Sequence, residues 1–143
     1  MIASYEPGDL RVDPSIAVAV GTLDAANALV VADVLKVGDP KINDYQVNYP
    51  FINKYRHAHS KIENTDDNWP VYRYADCLLL LAECLVEQGR AGDAAPYVNQ
   101  VRARAGLPAV TTINAEVVAN ERRHELAFEN HRWYDLLRTG KAI

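Results

Sequence analysis

Trp69-Pro-Val-Tyr-Arg-Tyr-Ala-Asp-Cys-Leu-Leu-Leu-Leu-Ala-Glu83 decides the fold. Val71, Tyr74, Ala75, Leu78, Ala82 and Leu85 recur at helical spacing, Asn68 stands in front as a cap and Pro70 falls in the first turn. Gly89 ends that helix. Asp93 then caps a second helix with an apolar stripe of Ala94, Tyr97, Val98, Val101 and Ala105, which Gly106 and Pro108 stop. The order Ala82, Leu85, Gly89, Asp93-Ala94, Tyr97 gives this hairpin the spacing of a tetratricopeptide (TPR) unit. A third helix is expected from Thr111 or Asn114 to about Glu129, and a short fourth over 133–138 before Gly140. The reading is therefore mainly α, with short connections that favour antiparallel neighbours.

Upstream of this block the texture changes, and the chain divides into an irregular segment, 1–68, and a helical segment, 69–143. Glu6-Pro-Gly-Asp9, Asp13-Pro14 and Gly38-Asp39-Pro40 mark turns. Ile16 to Leu23 reads as a short strand or a buried helical piece, and 24–36 is expected to include helix. The first half is thus predicted to be loop-rich.

Composition narrows the classes. Fifteen Lys and Arg against nineteen Asp and Glu leave a net charge of −4 with no basic arm, which argues against nucleic acid as a partner. No export signal is visible at the start, where Glu6, Pro7 and Asp9 interrupt any apolar stretch. Ile16 to Val37 contains Asp24 and Asp33 and falls short of the roughly 18 uninterrupted apolar residues of a membrane span. Cys77 and Cys84 lie seven residues, or about 10.5 Å, apart on one helix, too far for a disulfide, and are expected to be buried thiols.

Glu121-Arg-Arg-His124-Glu125 invites a metal reading that its spacing does not sustain. A zincin needs a second imidazole where Phe128 stands, and a di-iron bundle needs a second Glu-x-x-His motif with two further glutamates. No metal or other cofactor is expected. No nucleophile elbow or phosphate-binding glycine loop appears, and the acids of one helix do not frame a glycosidase cleft, so no catalytic residue is assigned. Glu121, Glu125 and Glu129 instead recur every four residues, with Arg102, Arg104, Arg132 and Arg138 available as interhelical partners. Arg73 and Asp76 are expected to join that network or pair locally. His57 and His59 are read as surface residues. Tyr45, Tyr49, Phe51 and Tyr55 crowd a polar, turn-like region and could either stack on sugars or pack the first half onto the helices.

Three motifs in order carry a resemblance: the stretch from Trp69, then Val98-Asn-Gln-Val-Arg-Ala-Arg-Ala-Gly-Leu-Pro108, then Glu121-Arg-Arg-His-Glu-Leu-Ala-Phe-Glu-Asn-His-Arg-Trp-Tyr-Asp-Leu-Leu-Arg-Thr-Gly140. Together they resemble the C-terminal part of the SusD/RagB family of nutrient-binding outer-membrane lipoproteins. Glu6-Pro-Gly-Asp-x-Arg11 and Asn53-Lys-Tyr55 extend the likeness upstream. The resemblance implies a fragment of a larger SusD-like fold with TPR-like hairpins. It implies a non-catalytic protein that captures oligosaccharides or other nutrients at the cell surface and delivers them to a TonB-dependent, SusC-like transporter. Membrane attachment would come from a lipid anchor outside this chain. The family's shared positions map onto Arg73, Asp76, Asn99, Arg102, Arg104, Glu121, Glu125, Glu129, Arg132 and Asp135 as residues that hold the fold. Asn130 stands where the family commonly has glycine, and asparagine tolerates the left-handed conformation. Tyr45 and Tyr49 are the ligand-binding candidates. A TPR-like scaffold that binds a partner protein, with no ligand site of its own, is the alternative.

Overall fold

The computed structural model describes residues 2–57, 60–61, 64–65 and 67–142, so His59 lies outside the described residues. A 3-10 turn, Ile2–Ser4, and a one-turn helix, α1 (Val12–Ser15), lead into β1 (Ile16–Leu23), β2 (Leu29–Lys36) and β3 (Val47–Ile52). These strands form an antiparallel sheet in the order β2-β1-β3. The first half is therefore not irregular, and 24–36 is a turn and a strand where helix was expected.

The reasons are local. Asp24 Oδ1 accepts hydrogen bonds from the backbone N–H of Ala26 and Ala28, and Asn27 takes φ +61°, which closes a tight connection. Val30, Val31 and Val34 then favour an extended backbone on an edge strand. β1 is central and buried from Ile16 to Val20, so it lacks the alternation that marks a half-buried strand. Between Val20 and Gly21 the register with β2 shifts by one residue. At that bulge a Cβ on Gly21 would lie 1.9 Å from the Val30 carbonyl oxygen, so only glycine fits.

The second half holds α2 (Tyr74–Glu87), α3 (Ala91–Arg104), α4 (Ala115–Glu125) and α5 (His131–Arg138). Gly89, at φ +74°, ends α2 by letting its own N–H reach Val86 O and the N–H of Arg90 reach Leu85 O. The same pair of bonds closes α3 at Gly106. Leu78, Leu79, Ala82 and Leu85 of α2 pack with Ala94, Val98 and Val101 of α3, and with Ile113 and Val118.

Helix boundaries differ from the expectation in instructive places. α2 starts at Tyr74, not near Asn68, because Arg73 is extended and spends its side chain on acids elsewhere. Asp93 does not cap α3; it lies in the first turn and accepts from Arg90 Nε at 2.8 Å. Asn114 does cap α4, accepting from the Val117 N–H at 2.9 Å. α4 stops at Glu125 instead of 129, since Phe128 and Asn130 both adopt positive φ before α5 begins. Cys77 and Cys84 are exposed, not buried, because Leu78, Ala82 and Leu85 already fill the face of α2 that meets α3.

Candidate functional site

Two charge clusters organise the helices. In the first, α4 and the turn after it present three carboxylates in a row. Glu121 accepts from Arg11 Nη1 at 2.5 Å and Arg102 Nη1 at 3.2 Å. Glu125 accepts from Arg73 Nη1 at 2.6 Å and Arg11 Nη1 at 3.3 Å, and also from Arg104. Glu129 accepts from Arg73 Nε and Lys54 Nζ, both at 2.6 Å. Asp9 grips Arg11 through two oxygens, and Glu6 does the same for Arg102. These bonds tie the segment before the sheet and the residues just after β3 to α2, α3 and α4.

The second cluster is centred on Arg122, which donates to Asp76 at 2.7 Å and to Asp135 at 3.2 and 3.3 Å. Arg138 links Asp135 to Glu83 on α2. Arg122 is thus the interhelical arginine, and the expectation for Arg132 is corrected. Arg132 is exposed, and among the described residues it enters no ion pair, because Arg122 points inward from α4 and takes both aspartates. Asn99 holds the backbone of Val110 at both its N–H and its carbonyl, at 2.8 and 3.0 Å. Arg104 is 64% exposed and only its tip reaches the buried Glu125.

Arg11, Lys54, Asp9, Glu6, Glu83 and Arg122 are the cluster members that sequence reasoning missed. Arg11 and Lys54 fall within stretches noticed for turns or for family likeness, but nothing in linear spacing points them at residues 71–114 positions away. Arg122 was hidden in the run that invited the metal reading. Among the described residues, no group of three His, Cys, Asp or Glu side chains is placed to hold a metal ion. His124 instead contacts Ser4 Oγ at 3.1 Å and packs on the Tyr5 ring.

The electrostatics follow from burial and partners. Burial opposes ionisation of Glu125 and Glu129, but hydrogen bonds from Arg73, with Lys54 at Glu129, outweigh it and hold both below the ordinary carboxylate value. Asp9 is depressed likewise by Arg11, and Glu6 chiefly by its hydrogen bond to Arg102. Burial, then the charges of Arg11 and Arg123, lower His124. For every one of these groups the unfolded chain binds a proton at higher pH than the folded one, so stability declines on acidification. The thermal midpoint is expected to begin falling below the ordinary histidine value of 6.5 and to fall steeply below the glutamate value of 4.5. Melting curves from pH 7 to 3 check this; a midpoint that stays level or rises would contradict it.

The aromatic candidates divide. Tyr55 packs on Trp69 with ring centres 4.3 Å apart, and Phe51 lies under Arg56 at 5.4 Å. Tyr49, on edge strand β3, is 61% exposed and Tyr45 is 99% exposed. The loop that carries Tyr45 is fastened by amides: Asn43 accepts from the Tyr45 N–H, Gln46 donates to Lys41 O, and Asn48 donates to Asn43 O at 2.8 Å. The loop backbone is thereby ordered, and the Tyr45 ring projects from it into solvent.

The SusD family model matches residues 34–142. The chain belongs to the SusD family. Its relatives include SusD-like protein P38 of Formosa agariphila, 38% identical over an alignment of 105 residues that covers 64% of this chain and 21% of that protein. SusD-like protein P2 of the same organism is 36% identical over an alignment of 113 residues that covers 67% of this chain and 22% of that protein. Among solved structures, surface glycan-binding protein A from Bacteroides uniformis superposes with a TM-score of 0.70 at 26% identity, covering 97% of this chain and 28% of that one. The protein of the same name from Bacteroides thetaiotaomicron gives 0.64 at 29% identity, covering 99% and 31%. The chain therefore spans about a fifth of the length of the curated SusD relatives it matches. Among the described residues, no helix is long and apolar enough to cross a membrane.

Proposed function

We infer that this SusD-family chain serves in a non-catalytic receptor that binds oligosaccharides or other nutrients at the outer-membrane surface. The receptor hands its ligand to a TonB-dependent, SusC-like transporter. Family membership and the likeness to surface glycan-binding proteins support the ligand class. The observation that carries the assignment to this chain is Tyr45, almost wholly exposed on a loop that its own asparagine and glutamine side chains fasten. Its aromatic face is open to stack on a pyranose, and the loop backbone that carries it is already ordered, which lowers the ordering cost of binding.

Native affinity electrophoresis through gels containing plant, fungal and host polysaccharides tests the reading. Retarded mobility without released reducing ends is expected. Tyr45→Ala should abolish most of the retardation with an unchanged thermal midpoint, and Tyr49→Ala should weaken it. Full retardation in both variants would place the contact elsewhere, and released sugar would overturn the non-catalytic reading.

The second reading, a TPR-like scaffold built on the α2–α3 hairpin, is favoured by α5. That helix buries none of its residues and leaves Trp133, Tyr134 and Leu137 exposed. A transporter bound without affinity for any glycan would support it.

A further inference from the structure

The connection from β2 to β3 is anchored on the sheet before it reaches Tyr45. Asp39 accepts from the N–H of Lys41 through Oδ1 at 2.8 Å and from the N–H of Ile42 through its carbonyl at 3.0 Å. Ile42 and Val37 then pack on Val18, Val20 and Leu35. Val20 pairs with Asn48 of β3, and residues paired across a ladder turn their side chains to the same face. Asn48 therefore leaves β3 on the face that the connection covers, whereas Tyr49, the next residue, leaves it on the other.

Four amide hydrogen bonds close the tip. Asn43 Nδ2 and Gln46 Nε2 donate to the carbonyl of Lys41 at 3.0 and 3.1 Å, and Asn43 Oδ1 accepts the N–H of Tyr45 at 3.0 Å. Asn48 Nδ2 donates to the carbonyl of Asn43 at 2.8 Å. The first three bonds join residues of the tip to one another. Of the four, only the bond from Asn48 starts at a residue paired in the sheet, and it is the shortest. The Tyr45 ring is almost wholly exposed, so its place is set by its backbone and not by packing of the ring.

We propose that Asn48 is the positioning residue of the Tyr45 platform. By holding the Asn43 carbonyl against β3 it fixes where the Tyr45 backbone stands, and it acts on a glycan only through that ring. The role rests on the reading of Tyr45 as a glycan contact.

Two readouts on the full chain test it. Trypsin cuts after Lys41, whose carbonyl is the one that Asn43 and Gln46 hold, so mass spectrometry of the fragment ending at Lys41 follows the tip with no glycan present. Asn48→Ala is expected to speed that cut several-fold and to leave the thermal midpoint unchanged, since the side chain is exposed. In gels containing the polysaccharide that retards the parent most, Asn48→Ala should weaken binding by roughly threefold to tenfold, the worth of one such hydrogen bond. Asn48→Asp should do no better, because it keeps an acceptor for Gln46 but sets a carboxylate against the Asn43 carbonyl. In the Tyr45→Ala background, Asn48→Ala should weaken the residual binding no further. An unchanged cut at Lys41, full affinity in Asn48→Ala where Tyr45→Ala loses it, or additive losses in the double variant would each overturn the positioning role alone. Full retardation in Tyr45→Ala, or none in the parent, would overturn the glycan reading of Tyr45 and this role with it.

Discussion

Glu125→Ala is expected to destabilise the protein by about 3–5 kcal/mol, the cost of leaving buried charge without its counterpart. The carboxylate it removes is 1% exposed and joins Arg11, Arg73 and Arg104. Arg11 keeps Asp9 and Glu121, and Arg73 keeps Glu129, so no buried guanidinium is orphaned; the loss is the acceptor of Arg73 Nη1 and one buried negative charge that balanced the cluster. Denaturant unfolding monitored by circular dichroism measures it directly. Arg104→Ala is the internal control: its side chain is mostly solvated, so removing it should cost far less. If Glu125→Ala shifted the unfolding midpoint no more than Arg104→Ala, the buried-cluster account would be wrong.

Arg122→Ala is expected to have an effect of the same size, about 3–5 kcal/mol, for a different geometric reason. Arg122 and Asp76 are 4% and 2% exposed, and among the described residues Arg122 is the only cation paired with Asp76. Arg122 reaches Asp76 with one arm of its guanidinium and Asp135 with the other atoms, so α2, α4 and α5 meet at one planar group. Arg122→Lys should fail to restore the midpoint, because a single ammonium cannot fork between the two aspartates. Combining Arg122→Met with Asp76→Leu should recover much of the loss, since neither buried charge is then left alone. A double change as damaging as the sum of the two single changes would contradict that coupling.

These residues also show where linear reasoning succeeded and where it stopped. Glu121, Glu125 and Glu129 were legible as a ladder because four-residue spacing puts side chains on one helical face. Their structural partners were only half legible. Arg73 and Arg102 sit in the helical half, within the motifs that carry the family likeness, while Arg11 and Lys54 sit among turns and reach the ladder only through tertiary packing. Arg132 stands out through the family likeness, whereas Arg122 lies inside the Glu-Arg-Arg-His run, and which of the two faces inward is set by helix packing. The helical hairpin was legible from periodicity and from Gly89 and Gly106. Of the sheet, β1 was legible as one of two readings of Ile16 to Leu23, left open because it is apolar on both faces, whereas β2 was not, because it turns Val30 and Val31 outward and does not alternate. Tyr45 and Tyr49 could be picked out as aromatic residues in a polar stretch, but their exposure depends on side-chain amides bonding the loop backbone, a matter of geometry that spacing does not encode.

The first charge cluster has a consequence for how the polypeptide is made. Arg11, Lys54, Arg73, Arg102 and Arg104 all leave the ribosome before Glu121, Glu125 and Glu129, the acids that join them. A nascent chain that has emerged as far as Asn120 carries the sheet, the hairpin and five cations, yet lacks the clasp that draws them together. Contacts spanning up to 114 residues carry a high loop-closure cost, so the clasp closes late, when α4 emerges. Until then the sheet and the hairpin can form separately, and the emergence of α4 and the turn after it decides when they become one body.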